Sequence, residues 1–93
     1  MTVKYNNIAL LHAYNKHKVN KSRIERGLAK GIHKAFNDYK YNSIVIFTND
    51  NLVICTDRDY NLKTAFEPMK NYINRISKHC KEITIKYFFN VFS

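Results

Sequence analysis

The stretch that decides the fold is residues 43–56, which read SIVIFTNDNLVICT. Two runs rich in β-branched residues, 43–48 and 52–56, are separated by Asn49-Asp50-Asn51. Asn and Asp tolerate the positive φ angles that tight turns require, so this stretch is predicted to form a β-hairpin. Both runs are apolar at nearly every position, which predicts a sheet covered on one face and partly covered on the other.

Two helices are predicted on the N-terminal side of the hairpin. Residues 5–16 are rich in good helix formers and predict a first helix, with an early strand as the alternative. Ser22 and Glu25 match a capping box, and the apolar residues that follow recur at helical spacing. These apolar residues are Ile24, Leu28, Ile32, Ala35, Phe36 and Tyr39. The second helix is therefore predicted over residues 22–39.

Two glycines interrupt this second predicted helix. Gly27 and Gly31 lie four residues apart and therefore on one flank of the helix. Each costs about 1 kcal/mol of helix stability relative to Ala. Their presence indicates the close approach of another backbone or of a ligand, or else a weaker helix.

The C-terminal part of the chain predicts one more helix and one more strand. Thr64 and Glu67 match a second capping box, and apolar residues at 3-4 spacing predict a helix over residues 64–79. Residues 82–92 alternate between apolar and polar, which predicts a half-buried strand. The predicted order is α-α-β-β-α-β, an α+β domain in which a three-stranded sheet packs against helices.

Length and composition limit the class of protein. The 93 residues are 45% hydrophobic, which is enough for one packed core and too few for two. A single domain is therefore predicted over residues 1–93. No apolar run approaches a membrane span, and the N-terminus has no secretory pattern. Cys55 and Cys80 form no CxxC pair, so we expect a reduced, cytoplasmic protein.

The positive charge is concentrated in the N-terminal part. The chain carries 16 Lys and Arg against 7 Asp and Glu, a net charge of +9. Residues 1–40 hold nine basic and two acidic residues, whereas residues 41–93 hold seven basic and five acidic residues. This asymmetry is typical of a basic helical part, residues 1–40, attached to a more neutral scaffold, residues 41–93.

The basic residues predict a binding site for nucleic acid. Cations repeated at each turn of a helix match the phosphates along a strand. The predicted binding residues are Lys16, Lys18, Lys21, Arg23, Arg26, Lys30 and Lys34. RNA or another single strand is favoured over specific duplex DNA, because the helix carries no signature of base readout. Tyr39 and Tyr41 add aromatic surface for stacking on unpaired bases, although the alternative role of Tyr39, core packing, is the favoured one because Tyr39 belongs to the apolar stripe.

Two other functions stay open from the sequence. Asn, Lys, Ile and Tyr make up 41 of the 93 residues, which indicates AT-rich codons and favours a regulator from a phage or mobile element. Such a protein would alternatively inhibit an acidic host or defence protein, such as a nuclease or toxin, through the same basic face. The second alternative is a small metal-independent ribonuclease that uses His33 or His79. We expect no enzyme activity, no cofactor and no membrane partner.

One pair of carboxylates has a spacing that suits a metal site. Asp57 and Asp59 lie two residues apart, so in an extended segment they would share one side and approach Mg²⁺ together. A polar turn around Arg58 is the favoured interpretation. No other acidic, histidine or cysteine residues have the spacing of metal ligands. The sequence therefore predicts no metal site.

Overall fold

The computed structural model describes residues 3–84, in which helices and strands alternate along the chain. The helices are α1 (Asn7–His17), α2 (Lys21–Lys30) and α3 (Tyr72–Ser77). The strands are β1 (Ile32–Asp38), β2 (Ser43–Thr48), β3 (Val53–Thr56), β4 (Leu62–Phe66) and β5 (Lys81–Ile83). Within the described part of the chain, no helix has the length and apolar character needed to cross a bilayer.

The five described strands form one antiparallel sheet in the order β4-β3-β2-β1-β5. The predicted hairpin is confirmed, because β2 pairs with β3 from Ile44↔Thr56 to Phe47↔Val53. The α+β class and the packing of helices against the sheet are also confirmed. The prediction of three strands in the order α-α-β-β-α-β is wrong, because β1 and β4 were both predicted as helix.

The second predicted helix is correct only as far as Lys30. Gly31 follows with φ +97° and ψ 163°, and this conformation turns the chain out of the helix. The Gly31 carbonyl accepts a hydrogen bond from the backbone N–H of Asn49, 2.8 Å away, and β1 then pairs with β2. The predicted capping box is also wrong, because the cap is Asn20, two residues before Ser22, and its side chain accepts from the N–H of Arg23.

The third predicted helix is correct only near its end. Residues 62–66 form β4, in which Ala65 pairs with Ile54 of β3. Strand pairing therefore outweighs the capping-box pattern at Thr64 and Glu67. The helix begins after Asn71, which has φ +68°, and its six residues are fewer than two full turns need. The predicted strand over 82–92 starts as β5, and its part beyond residue 84 lies outside the described residues.

The first helix agrees with the prediction at both ends. Asn6 caps α1, because its Oδ1 accepts from the N–H of Ala9 at 2.8 Å. Lys18 ends the helix in the left-handed region, with φ 59°. The alternative early strand survives only as one isolated parallel bridge between Lys4 and Asn61.

The sheet is covered on both faces by separate apolar clusters. On one face, Ala13 of α1 and Ile24 of α2 are buried against Ile46 and Ile54. On the other face, side chains of α3 pack against a buried aromatic and aliphatic cluster. That cluster contains Phe36, Val45, Phe47 and Val53. Residues of β1, β2 and β3 are thus apolar at adjacent positions because both faces need them.

Gly27 is explained by this packing. A Cβ atom at Gly27 would lie 3.1 Å from Leu52 Cδ2 and 3.3 Å from Thr48 Cγ2, closer than ordinary van der Waals contact. The close approach that the sequence indicated is therefore made by the β2–β3 hairpin. A larger residue here would push α2 away from the sheet.

Phe36 and Tyr39 provide a test of the strand assignment, because a helix would place both on one buried stripe. Phe36 is 1% exposed and contacts Phe47 edge to face, whereas Tyr39 is 63% exposed. We expect Phe36→Ala to lower the free energy of unfolding by about 3–5 kcal/mol. Tyr39→Ala should cost about 1 kcal/mol or less, since only a cation–π contact is lost. Urea unfolding measures both values, and equal losses would contradict the assignment.

Candidate nucleic-acid interface

The seven cations predicted to bind nucleic acid are divided between two faces of the sheet. Six of them lie on the side of α1 and α2: Lys16 and Lys18 at the end of α1, and Lys21, Arg23, Arg26 and Lys30 on α2. Lys34 lies on β1 instead, directly opposite Phe47, and paired residues project to the same face. Phe47 belongs to the cluster under α3. Lys34 is therefore separated from the other six, and its Nζ is 3.4 Å from Glu82 Oε1.

Arg23 is committed to holding the fold together. Its Nη1 donates to Asp50 Oδ2 at 3.0 Å and its Nη2 donates to the Asp50 carbonyl at 3.1 Å. The Arg23 side chain is only 16% exposed. Thr48 Oγ1 also donates to Asp50 Oδ1 at 2.6 Å. This group of contacts ties α2 to the β2–β3 turn and leaves Arg23 little freedom to meet a ligand.

The Asp50 carboxylate is stabilised in its charged form. The hydrogen bond from Thr48 and the nearby guanidinium of Arg23 together lower its pKa below the ordinary value, against an opposing effect of burial. A carboxyl whose pKa is lowered by folding stabilises the folded state above its unfolded pKa. That stability is lost as the pH falls through the lowered, folded-state pKa.

Five exposed cations remain on the α1–α2 side, and we call them the α1–α2 edge: Lys16, Lys18, Lys21, Arg26 and Lys30. Lys21 is partly balanced, because its Nζ lies 3.8 Å from Glu25 Oε1 and 4.9 Å from the ring centroid of Tyr5. The Lys21–Glu25 pair is more than half exposed, so it is worth little.

Arg26 and Lys30 are the least balanced members of the edge. They lie one turn apart on the exposed side of α2, at the spacing that brings side chains together. Among residues 3–84, no carboxylate is within ion-pair distance of either side chain. Their mutual repulsion costs a few tenths of a kcal/mol in a helix, about what a favourable pair would gain. An anionic ligand would remove that cost.

The carboxylates of the protein are largely engaged elsewhere. All seven acidic residues lie within the described part of the chain. Glu25, Asp50 and Glu82 form the ion pairs described there. Asp38 accepts from the backbone N–H groups of Lys40 and Tyr41 in the β1–β2 turn. The α1–α2 edge is thus left with Glu25 as its one ion-paired carboxylate.

The segment around Asp57 forms the polar turn that the sequence favoured over a Mg²⁺ site. Asp57 Oδ1 accepts from the backbone N–H groups of Asp59 and Asn61, each at 2.9 Å, and Oδ2 accepts from the Asn61 side chain. These hydrogen bonds lower the Asp57 pKa against the effect of burial. Across residues 3–84, no group of three or more His, Cys, Asp or Glu side chains is placed to hold a metal ion.

The residues proposed for ribonuclease chemistry are not brought together by any described contact. His33 is exposed at the bulge of β1, and His79 is exposed just after α3. In the described region, neither imidazole has a hydrogen-bond or ion-pair partner. Cys55 and Cys80 are free thiols. Burial raises the pKa of Cys55 to about 12, so it is not a nucleophile at neutral pH.

The β1–β2 turn holds exposed aromatic residues that the helical prediction misplaced. Tyr39 and Tyr41 are each 63% exposed, so the alternative role of Tyr39 in the core is wrong. The guanidinium carbon of Arg58 lies 4.9 Å from the Tyr39 ring centroid. The sequence does contain a signal for this turn, since Asp38 and Asn42 flank it and both residue types favour turns. Arg58 lies 16 residues after Asn42, and no local pattern indicates that it contacts this turn.

Comparison with protein-family models, with curated proteins and with solved structures finds no match to this chain.

Asp50→Asn tests the structural role of Arg23. We expect it to lower the free energy of unfolding at pH 7 by about 2 kcal/mol, the usual value of a charge-assisted hydrogen bond. The loss should shrink as the pH falls through the lowered pKa of Asp50, because wild-type Asp50 is then protonated as well. Asp59→Asn is the matched control and should cost less than about 0.5 kcal/mol. Urea unfolding at pH 7 and pH 3 measures both, and a loss independent of pH would contradict this role.

Proposed function

We propose that this protein binds nucleic acid, RNA or another single strand in preference to specific duplex DNA, through the α1–α2 edge. The observation that carries the proposal is the pair Arg26 and Lys30, exposed on successive turns of α2 without carboxylate partners in the described chain. A phosphate backbone offers negative charge at a similar repeat, and each contact releases a bound counterion.

The competing explanation is an ordinary solvated helix face. Such faces usually mix both signs of charge, which limits repulsion and keeps the protein soluble. Among the exposed cations of α2, the described ion pairs include only that of Lys21 with Glu25, and none includes Arg26 or Lys30. The net charge of +9 also supports an anionic partner, since long-range attraction speeds encounter with a polyanion.

The proposed interface has a defined salt dependence. If the five cations of the α1–α2 edge each neutralise one phosphate of a single strand, log K falls against log salt with a slope of about −3.5. The affinity then falls about 100-fold between 50 and 200 mM salt. A partner held by apolar contacts would show little of this dependence.

The double variant Arg26→Gln/Lys30→Gln tests the edge directly. Two lost phosphate contacts should reduce the salt slope by about 1.4 and weaken binding about 10- to 30-fold at 100 mM salt. Fluorescence anisotropy with a labelled 12-mer oligouridine measures both quantities. The fold should be unaffected, since both side chains are exposed.

The matched control is Lys70→Gln/Lys78→Gln, which removes the same charge beside α3 on the opposite face of the sheet. We expect this control to weaken binding no more than about twofold, through the change in net charge alone. Equal losses in the two double variants would show that binding depends on total charge and would contradict the α1–α2 edge.

A second candidate function, binding to an acidic protein, is favoured by the outer side of α1. Ile8, Leu11 and Tyr14 are 83%, 59% and 52% exposed, and they follow one another at spacings of three residues. Lys18 places its Nζ 5.6 Å from the Tyr14 ring centroid, and Lys21 lines the same groove as Leu11. Apolar residues bordered by cations suit an amphipathic acidic segment of a partner.

The two candidates are separated by salt and by their residues. A protein partner held by α1 should remain bound in a pull-down at 0.5 M NaCl, because apolar contacts are not screened. Ile8→Ser/Leu11→Ser should release it, whereas Arg26→Gln/Lys30→Gln should retain it. A partner that is released by salt and by the Arg26→Gln/Lys30→Gln variant alone would contradict docking on α1.

A further inference from the structure

We infer that the β1–β2 turn and Arg58 form a separate site on which the unpaired bases of a single strand stack. We call Tyr39, Tyr41 and Arg58 the tyrosine tip. This inference rests on the proposed function and adds the feature of the ligand that the tip would recognise: exposed base faces rather than phosphates alone. It also gives a role to a part of the molecule that lies outside the α1–α2 edge.

The β1–β2 turn leaves most of both tyrosine side chains exposed to solvent. Asp38 Oδ1 accepts from the N–H of Lys40 at 3.1 Å and of Tyr41 at 3.4 Å, and Asn42 adopts φ +52°. These features make a tight turn whose backbone is fixed by one carboxylate. Tyr39 and Tyr41 therefore project from a short connection, and each is 63% exposed.

Arg58 is held in place by two neutral groups. Its Nε donates to Asn42 Oδ1 at 2.9 Å, and its Nη1 donates to Asn37 Oδ1 at 2.7 Å. Because amide oxygens carry no net charge, they position the guanidinium without cancelling it. The described part of the chain shows no carboxylate within ion-pair distance and no acceptor for Nη2. Nη2 is thus free to donate to a phosphate.

The two rings combine apolar faces with nearby positive charge. The Arg58 guanidinium lies over Tyr39 at 4.9 Å and covers one face of that ring, which leaves the opposite face for a base. Lys40 places its Nζ 5.3 Å from the Tyr41 ring centroid. Lys63 reaches the same turn, since its Nζ donates to the Tyr41 carbonyl at 3.2 Å. Aromatic faces beside cations are the recurring arrangement of single-strand binding surfaces.

The chemistry of the tip selects single strands over duplexes. In a duplex the base faces are already stacked on one another, so a protein ring gains contact only by unstacking them. An unpaired base has both faces available and stacks on Tyr without that cost. One base–aromatic stack is worth about 5- to 100-fold in affinity. The tip should therefore raise the affinity for a single strand and leave the affinity for a duplex unchanged.

The test compares Tyr39→Leu/Tyr41→Leu with wild type on three labelled probes at 100 mM salt. The probes are a 12-mer oligothymidine, the same backbone with abasic sites, and a 12-base-pair duplex. We expect the variant to lose at least 10-fold in affinity for oligothymidine and less than twofold for the other two probes. Tyr39→Phe/Tyr41→Phe should keep the wild-type affinity for oligothymidine, because stacking needs the ring and not the hydroxyl.

Met69→Ala is the control, since Met69 is 80% exposed and lies outside both the tip and the α1–α2 edge. It should bind all three probes as wild type does. The protein contains no Trp, so quenching of tyrosine fluorescence by oligothymidine is a direct second readout of stacking. The quenching should shrink in the Leu double variant, and thermal unfolding confirms that this variant is folded.

The outcomes separate the tip from the proposed function. A wild type that binds none of the probes at low salt overturns both. Wild-type binding that is unchanged in the Leu double variant overturns the tip alone. Equal losses on oligothymidine, abasic strand and duplex also overturn the tip, because they would reflect a general loss of electrostatic contact. If the Leu double variant is unfolded, the single variants Tyr39→Leu and Tyr41→Leu replace it with the same probes, and each should show the same three-probe pattern with a smaller loss.

Discussion

The pairing of β1 with β2 is the interaction on which the rest of the structure depends. Phe36 pairs with Val45 and Ala35 pairs with Ile46, so one strand contributes a large residue to one face and a small residue to the other. Because residues 32–38 pair with β2, α2 ends at Lys30 and the chain continues as a strand beside β2. This pairing also places β5 at the sheet edge, where Ile83 pairs with Ala35. Lys34, Tyr39 and Tyr41 have their positions because β1 is a strand that turns into β2.

Turn chemistry engages three of the seven carboxylates of the protein. Asp38, Asp50 and Asp57 each bind backbone or side-chain donors in a turn or beside one, and these bonds hold the ends of the hairpins. Aspartates used in this way contribute little to balancing distant cations, because their charge is already engaged locally. With 16 basic and seven acidic residues in the chain, few carboxylates are then left for the exposed cations of α1 and α2.

Part of this architecture was predictable from the sequence, and the errors have one physical origin. The hairpin over 43–56 follows from a local pattern with a single interpretation, and the helix α1 follows from helix propensity that outweighs the alternative of an early strand. Residues 32–39 do not, because a strand buried on both faces places apolar residues at adjacent positions such as Ala35 and Phe36. The same spacing satisfies a helical stripe. Gly31 was the local signal of a helix end, but only the long-range pairing with β2 decides between a helix and a strand for these residues.

The candidate site also has one part that local sequence predicts and another part that only tertiary packing determines. The cations Arg26 and Lys30 follow from local sequence, since helix α2 is correctly predicted over that stretch. The commitment of Arg23 does not, because Asp50 lies 27 residues away and is brought near by packing. Lys34 was placed with the others by a helical repeat that ends at Lys30. Contacts of this kind depend on the tertiary fold, which no local pattern encodes.

The two proposed surfaces differ in how much side-chain freedom the protein loses when a ligand binds. Lys16, Lys18 and Lys30 are exposed side chains on the helix surface, and a bound strand must restrict their rotamers at a cost of about 0.5–1.5 kcal/mol each. Arg58 has already lost that freedom during folding, because Asn37 and Asn42 hold its guanidinium. A strand that reaches the tyrosine tip therefore meets a preorganised cation and a preformed ring face. Long-range attraction to the α1–α2 edge would govern encounter and salt dependence, and short-range stacking on the tip would govern discrimination between single strands and duplexes.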